Sequence, residues 1–158
     1  MLEQITKVIE QVSSSEIVKG GITSELTSAI TKETGSSIME GLKSSISSGD
    51  INGLTNLLSG QAANIAANPI VKDMITNLAG GLIGKLGLSD SVANNFANGV
   101  VPKVMETIVA KVQGGDSGFQ ISDIMSSLGG GSFQDILGSL TGGKDGIGGA
   151  LDKLKGLF

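Results

Sequence analysis

Apolar side chains recur every three or four positions along most of this chain, the spacing of helices that bury one face. Leu2, Ile5, Val8 or Ile9, and Val12 mark the first such stretch, which the run "SSSE" after it is expected to break. From Ile22 a four-residue grid follows: Ile22, Leu26, Ile30, Ile38, Leu42 and Ile46, with one gap at Thr34. Four residues advance a helix by about 400°, so such a stripe drifts about 40° per step. A straight helix cannot hold all six on one partner. The grid therefore predicts either a bend or break near Gly35 or a helix buried on two sides.

Stop and start signals divide the rest. Asp50 is placed to cap a short helix over Ile51 to Leu58. Asn68 and Pro69 open a helix whose stripe is Ile70, Met74, Ile75, Leu78, Leu82 and Leu86, with Gly87 as its C-cap. Gly80 and Gly84 in that helix form a GxxxG, widened by Ala79 and Gly81, and predict a close helix crossing within a core. Ser89 is positioned as the next cap. Gly99 and Pro102 lie inside the following apolar run, and an interior proline costs about 3 kcal/mol. A kink or fresh start is expected near Val100, then a helix to Val112 with Val101, Val104, Met105 and Ile108 on its stripe.

The pattern shortens after residue 113. "FQISDIMSSLGGG" and "SFQDILGSLTGG" repeat one plan: Phe, a polar or acidic residue, an Ile-Met or Ile-Leu pair, a Leu three positions on, then glycines. "DINGLTNLLSGQ" upstream is a looser copy. Helices this short are marginal in water unless another surface covers them. Nor is the segment a linker. Fourteen of the forty residues from 119 to 158 are Val, Ile, Leu, Met or Phe, a density matching thirty of the ninety-two from 22 to 113. The expected organisation is a helical body over residues 1–113 and a glycine-punctuated short-helix tail over 114–158, docked on the body or on a second copy. No stretch alternates in the manner of a strand. The fold class is all-α, an irregular bundle of about seven to nine short helices with Gly-rich connections.

Composition narrows the chemistry. Tyr, Trp, His, Cys and Arg are all absent, and all eleven cationic side chains are Lys. Without His or Cys, zinc and soft-metal sites lose their usual ligands, and proton transfer near neutral pH loses its usual residue. Without Arg, the bidentate fork for guanine or phosphate is missing, and a net charge of −4 repels nucleic acid. No Ser-x-x-Lys pair is present. The loop from Asp145 fails as a calcium loop, because Ile147 and Gly149 stand where side-chain oxygens are needed and Gly156 where a Glu is needed. The P-loop spacing is absent. No catalytic, cofactor-binding or metal-binding residue is assigned, no cofactor is expected, and the chain is not read as an enzyme. The weaker alternative is a hydrolase-type enzyme with a carboxylate site.

"MLEQITKVIEQV" lacks a basic start and an unbroken apolar run, and no stretch reaches the length of a membrane span. The chain is therefore read as cytoplasmic. The candidate interaction surface is the apolar face of the tail: Phe133, Ile136, Leu137, Leu140, Ile147, Leu151, Leu154 and Phe158. The last four share one helical face with Lys153 and Lys155 beside it, the outline of a helix that lies on a membrane surface. Two lysines supply little attraction to lipid. A protein partner or self-association is preferred to a membrane surface.

"NPIVKDMITNLAGGLIGKLGLSDSVANNFANGVVPKVMETIVAKV", followed by "GFQISDIMSSLGGG", resembles an uncharacterised helical protein family of Bacteroidetes and is distantly similar to the YidB-like family. The likeness is most specific from Asn68 to Gly130. It implies a multi-helical bacterial protein and brings no reaction, ligand or catalytic residue.

Overall fold

A computed structural model describes residues 2–117 and 119–129. Among them are six α-helices and no strand: α1 (Leu2–Lys19), α2 (Thr27–Ser47), α3 (Ile51–Leu58), α4 (Pro69–Leu86), α5 (Asp90–Gln113) and α6 (Ile121–Gly129). Short 3-10 turns at Ser24–Leu26 and Ile65–Ala67 lead into α2 and α4. The all-α multi-helical bundle is thus the architecture.

The main contacts run α1 to α2, α2 to α4, α4 to α5 and α5 back to α1, closing a ring of four helices. Residue pairings across two seams, and the short connections at the other two, fix the directions. Glu33 of α2 meets Lys85 of α4 while Gly41 faces Met74, and Glu16 of α1 meets Lys103 of α5. Neighbours in the ring are antiparallel, so the chain runs up, down, up, down. Helix α3 lies across the end where α2 and α5 finish and touches both. It is pinned there by Gln113 Nε2 donating to the Ser59 carbonyl at 3.1 Å. Helix α6 packs on α2.

Each of the first five helices ends at a glycine of positive φ: Gly21, Gly49, Gly60, Gly87 and Gly115. At Gly21 (φ 63°) the Ile22 N–H donates back to the Ile17 carbonyl at 3.2 Å, closing α1 in a left-handed turn that strains any residue with a Cβ. Gly87 closes α4 as its position predicts, donating to the Ile83 carbonyl at 3.2 Å. The starts also follow the sequence. Asp50 Oδ1 accepts from Gly53 N–H at 3.0 Å, and Asn68 Oδ1 accepts from Ile70 N–H at 2.9 Å with Pro69 in the first turn. Ser89 precedes α5, but its hydroxyl makes no capping bond.

The expected break at "SSSE" and fresh start near Val100 do not occur, and at Gly35 the second of the two expected outcomes is found, a helix buried on two sides. The "SSSE" run continues α1 to Lys19. Ser14 Oγ donates to the Glu10 carbonyl at 2.8 Å, which quiets its competition with the helix, and Ile17 extends the buried stripe. Helix α2 passes through Gly35 unbroken and is covered by α1 on one side and α4 on the other. The gap at Thr34 is part of its core face: Thr34 is fully buried and its hydroxyl donates to the Ile30 carbonyl at 2.7 Å. Helix α5 runs through Pro102 without a fresh start at Val100. Its ten buried residues, from Ala93 to Val109, form one continuous surface. A fully buried large apolar side chain is worth roughly 1.5–3 kcal/mol, so a few of them outweigh the proline penalty of about 3 kcal/mol.

The GxxxG expectation is corrected. Gly80 and Gly84 are exposed, and a Cβ on either would meet nothing within 4 Å. They lie away from the buried row Ile70, Met74, Leu78, Leu82. Close approach is made elsewhere: Gly41 accommodates the Met74 side chain, and Gly81 and Gly99 accommodate the carboxylates of Glu33 and Glu16. Each inter-helix ion pair therefore has a glycine beneath its acid.

Candidate functional site

Helices α1 and α2 do not close along their outer edge. Between them runs a groove of about 600 Å3. Helix α1 contributes Thr6, Ile9, Glu10 and Ser14, and α2 contributes Ser28, Thr31, Lys32, Gly35, Ser36 and Met39. Spacing explains the set. Thr6, Glu10 and Ser14 fall four apart, one row round from the core row of Ile5, Ile9 and Ser13. Ile9 reaches the floor from the core side, Met39 is partly exposed opposite, and hydroxyls and two charges form the rims.

Gly35 makes the floor shallow. It sits inside a helix, where glycine costs about 0.5–1 kcal/mol relative to alanine. A Cβ there would meet nothing within 4 Å. No neighbour in the described structure requires it to be glycine, in contrast to Gly41 six positions on.

Chemically the groove can bind and has little with which to react. Glu10 and Lys32 are both exposed, and Thr31 and Ser36 are ordinary hydroxyls with no imidazole or thiolate in the chain to activate them. A smaller cleft of about 270 Å3 brings Asp50 and Asp73 to one rim, but Asp50 is engaged in capping α3 and Asp73 is exposed. Among the described residues, no three acids gather where they could share a metal ion, and no helix is long and apolar enough to cross a membrane.

The clearest electrostatic perturbation belongs to the α1–α5 seam. Glu16 accepts from Lys103 and pairs with Lys19 at 3.4 Å. The hydrogen bond from Lys103 holds the Glu16 carboxyl below its usual 4.5 against the opposing effect of burial. The same bond raises the Lys103 ammonium above 10.5. This is a clamp between helices, and Glu16 and Lys19 also line a cleft of about 240 Å3 with Val92, Asn95 and Phe96. One buried hydroxyl lacks any such support: Ser13 Oγ is fully buried and has no hydrogen-bond partner.

The residues assigned from sequence as an interaction surface, Phe133, Ile136, Leu137, Leu140, Ile147, Leu151, Leu154 and Phe158, lie outside the described residues. The first unit of the same plan lies within them. In α6 and its lead-in, Phe119, Ile124, Met125 and Leu128 are buried in the common core, and Lys111 Nζ sits 5.3 Å from the Phe119 ring centre. Sequence reasoning missed the α1–α2 groove, because its lining is mostly small and polar and was read as helix surface.

No family model, curated protein or solved structure matches this chain. The likeness to the YidB-like proteins rests on the quoted residues alone.

Proposed function

We propose that this chain is a non-enzymatic helical binding protein that works through apolar helix surfaces, with the α1–α2 groove as the surface that takes an amphipathic helix from a protein partner. The observation that carries the reading is the groove of about 600 Å3 between α1 and α2, with Gly35 on its floor between Ile9 and Met39. Grooves between helices that accept another helix use this combination, a shallow apolar floor with polar rims. The bundle already accepts one short helix in this way, since α6 buries Ile124, Met125 and Leu128 against it. A cytoplasmic setting and a bacterial origin remain part of the proposal, on the strength of the sequence alone.

The test is a selection of displayed amphipathic helices of about three turns against the full chain. Recovered helices should bind at micromolar affinity and lose at least tenfold on Gly35→Leu or Thr31→Lys. Helices that bind both groove variants as well as the parent, or no recovered helix at all, would refute the groove as the binding surface.

A further inference from the structure

Among the described residues, the groove holds the one methionine that the bundle leaves within reach of solvent. We infer that Met39 is an oxidation site through which a hydroperoxide switches the groove: converting its thioether to the sulfoxide makes the apolar floor polar and weakens the hold on a docked helix. The inference rests on the groove being a helix-binding surface and names the regulation of that surface.

Composition narrows the target first. Cys, Trp, Tyr and His are all absent, so the thiol, indole, phenol and imidazole groups that oxidants attack are missing. The thioethers of five methionines are what remains. Burial then separates the four that lie among the described residues. Met74 and Met105 are fully buried, and Met125 is 2% exposed. Met39 is partly exposed and lines the groove opposite Ile9. An oxidant must touch the sulfur, and in the folded chain it can touch this one.

The step is simple. A lone pair of the Met39 sulfur attacks one oxygen of the hydroperoxide. The O–O bond breaks as the S–O bond forms. With hydrogen peroxide the transferred hydroxyl gives its proton to the departing hydroxide, which leaves as water. Sulfur loses two electrons and the peroxide gains them. Reversal by a thiol-dependent methionine sulfoxide reductase consumes two thiols, which leave as a disulfide while the oxygen leaves as water.

Position decides the consequence. A sulfoxide is polar and chiral and disrupts the apolar contacts that a thioether makes. At Met74, whose side chain fills the space over Gly41, such a group would be trapped in the core and would damage the fold. At Met39 the oxygen stays in the open groove, where water solvates it, and the bundle survives the change. A docked helix removes that water. Ile9 and Gly35, which share the floor, carry no side-chain donor to replace it. The oxygen is then covered by an apolar face without a partner, which is unfavourable. The same exposure that lets an oxidant in lets a reductase in, so the change can be undone.

The test begins with the full chain in hydrogen peroxide for graded times. The peroxide is then removed, and each methionine is followed by mass spectrometry of its peptide. Met39 should be oxidised roughly tenfold faster, or more, than Met74, Met105 and Met125. Equal rates at Met39 and any of these three overturn the inference. The chain oxidised at Met39 should keep its helical circular dichroism. It should bind methionine-free helices recovered by selection about fivefold more weakly, or worse. Treatment with the reductases for both sulfoxide epimers should restore the affinity. In Met39→Leu, whatever its own affinity, peroxide should change nothing. A loss of binding that persists in Met39→Leu, or that comes with loss of the helical signal, also overturns the inference. If helices bind and oxidation at Met39 leaves their affinity unchanged, the groove is a binding surface without this switch. If no helix is recovered, the binding reading falls and the switch falls with it.

Discussion

Helix α2 has two seams, and they are built on opposite principles. Toward α4 it is pressed at two points, Gly41, where the Met74 side chain fills the space a Cβ would take, and Glu33, which bridges over Gly81 to Lys85 at 2.8 Å, with a smaller cleft of about 270 Å3 beyond Gly41. Toward α1 it closes at the core level and then opens into a groove whose floor glycine has no neighbour. The same residue type, six positions apart in one helix, is required by a packed side chain in one case and unexplained by any contact in the other.

The contrast can be tested by substitution. Met74→Ala on the closed seam should destabilise the chain by about 2–5 kcal/mol in denaturant unfolding, because the site is fully buried and cannot collapse onto solvent. Met39→Ala on the open seam should cost under about 1 kcal/mol, since it is already partly exposed. If the two cost the same, the seams are not different in kind. Gly41→Ala should cost about 1–3 kcal/mol, as a methyl there overlaps the Met74 side chain at its Cγ and Cε and forces it to move. Ser13→Ala should gain about 1 kcal/mol by removing a buried hydroxyl without a partner, and a loss instead would mean the hydroxyl is satisfied in solution. Gly35→Ala should have the opposite sign to Gly41→Ala, gaining about 0.5–1 kcal/mol from helix propensity.

The smallest expected effect is on the pH profile. Glu16 is held below its usual 4.5 by Lys103. A depressed carboxyl contributes stability that is fully present above 4.5 and is lost as the pH falls through its folded value. Lys103, raised above 10.5, contributes stability that is present below that value and is lost as the pH climbs through its folded value. Both describe one pair. Glu16→Gln should therefore flatten the acid limb below pH 4.5 and the alkaline limb above 10.5, leaving the neutral plateau level. An unchanged acid limb would show that the pair is not formed in solution.

Much of the fold was legible before any coordinates. Asp50, Asn68 with Pro69, and Gly87 sit at the helix ends their chemistry indicates, because capping is a matter between neighbours in sequence. The α4 stripe from Ile70 to Leu82 is buried as its spacing predicts. The misreadings share a cause. "SSSE" and Pro102 each carry a local preference against helix, and each lies within a helix whose flanking residues are buried on shared partners. GxxxG failed differently: the motif was real, but Gly80 and Gly84 face away from the helices that pack on α4.

The chain alone therefore determined its helical class, its caps, its glycine stops and the poverty of its reactive chemistry, since each of these is settled within a turn or two of backbone or by composition. Tertiary structure alone decided which glycines are pressed and which are open, that α1 and α5 run unbroken, and that α1 and α2 part into a groove. Those outcomes depend on which faces meet across residues distant in sequence, and burial summed over a whole helix outweighs the preference of any one residue in it.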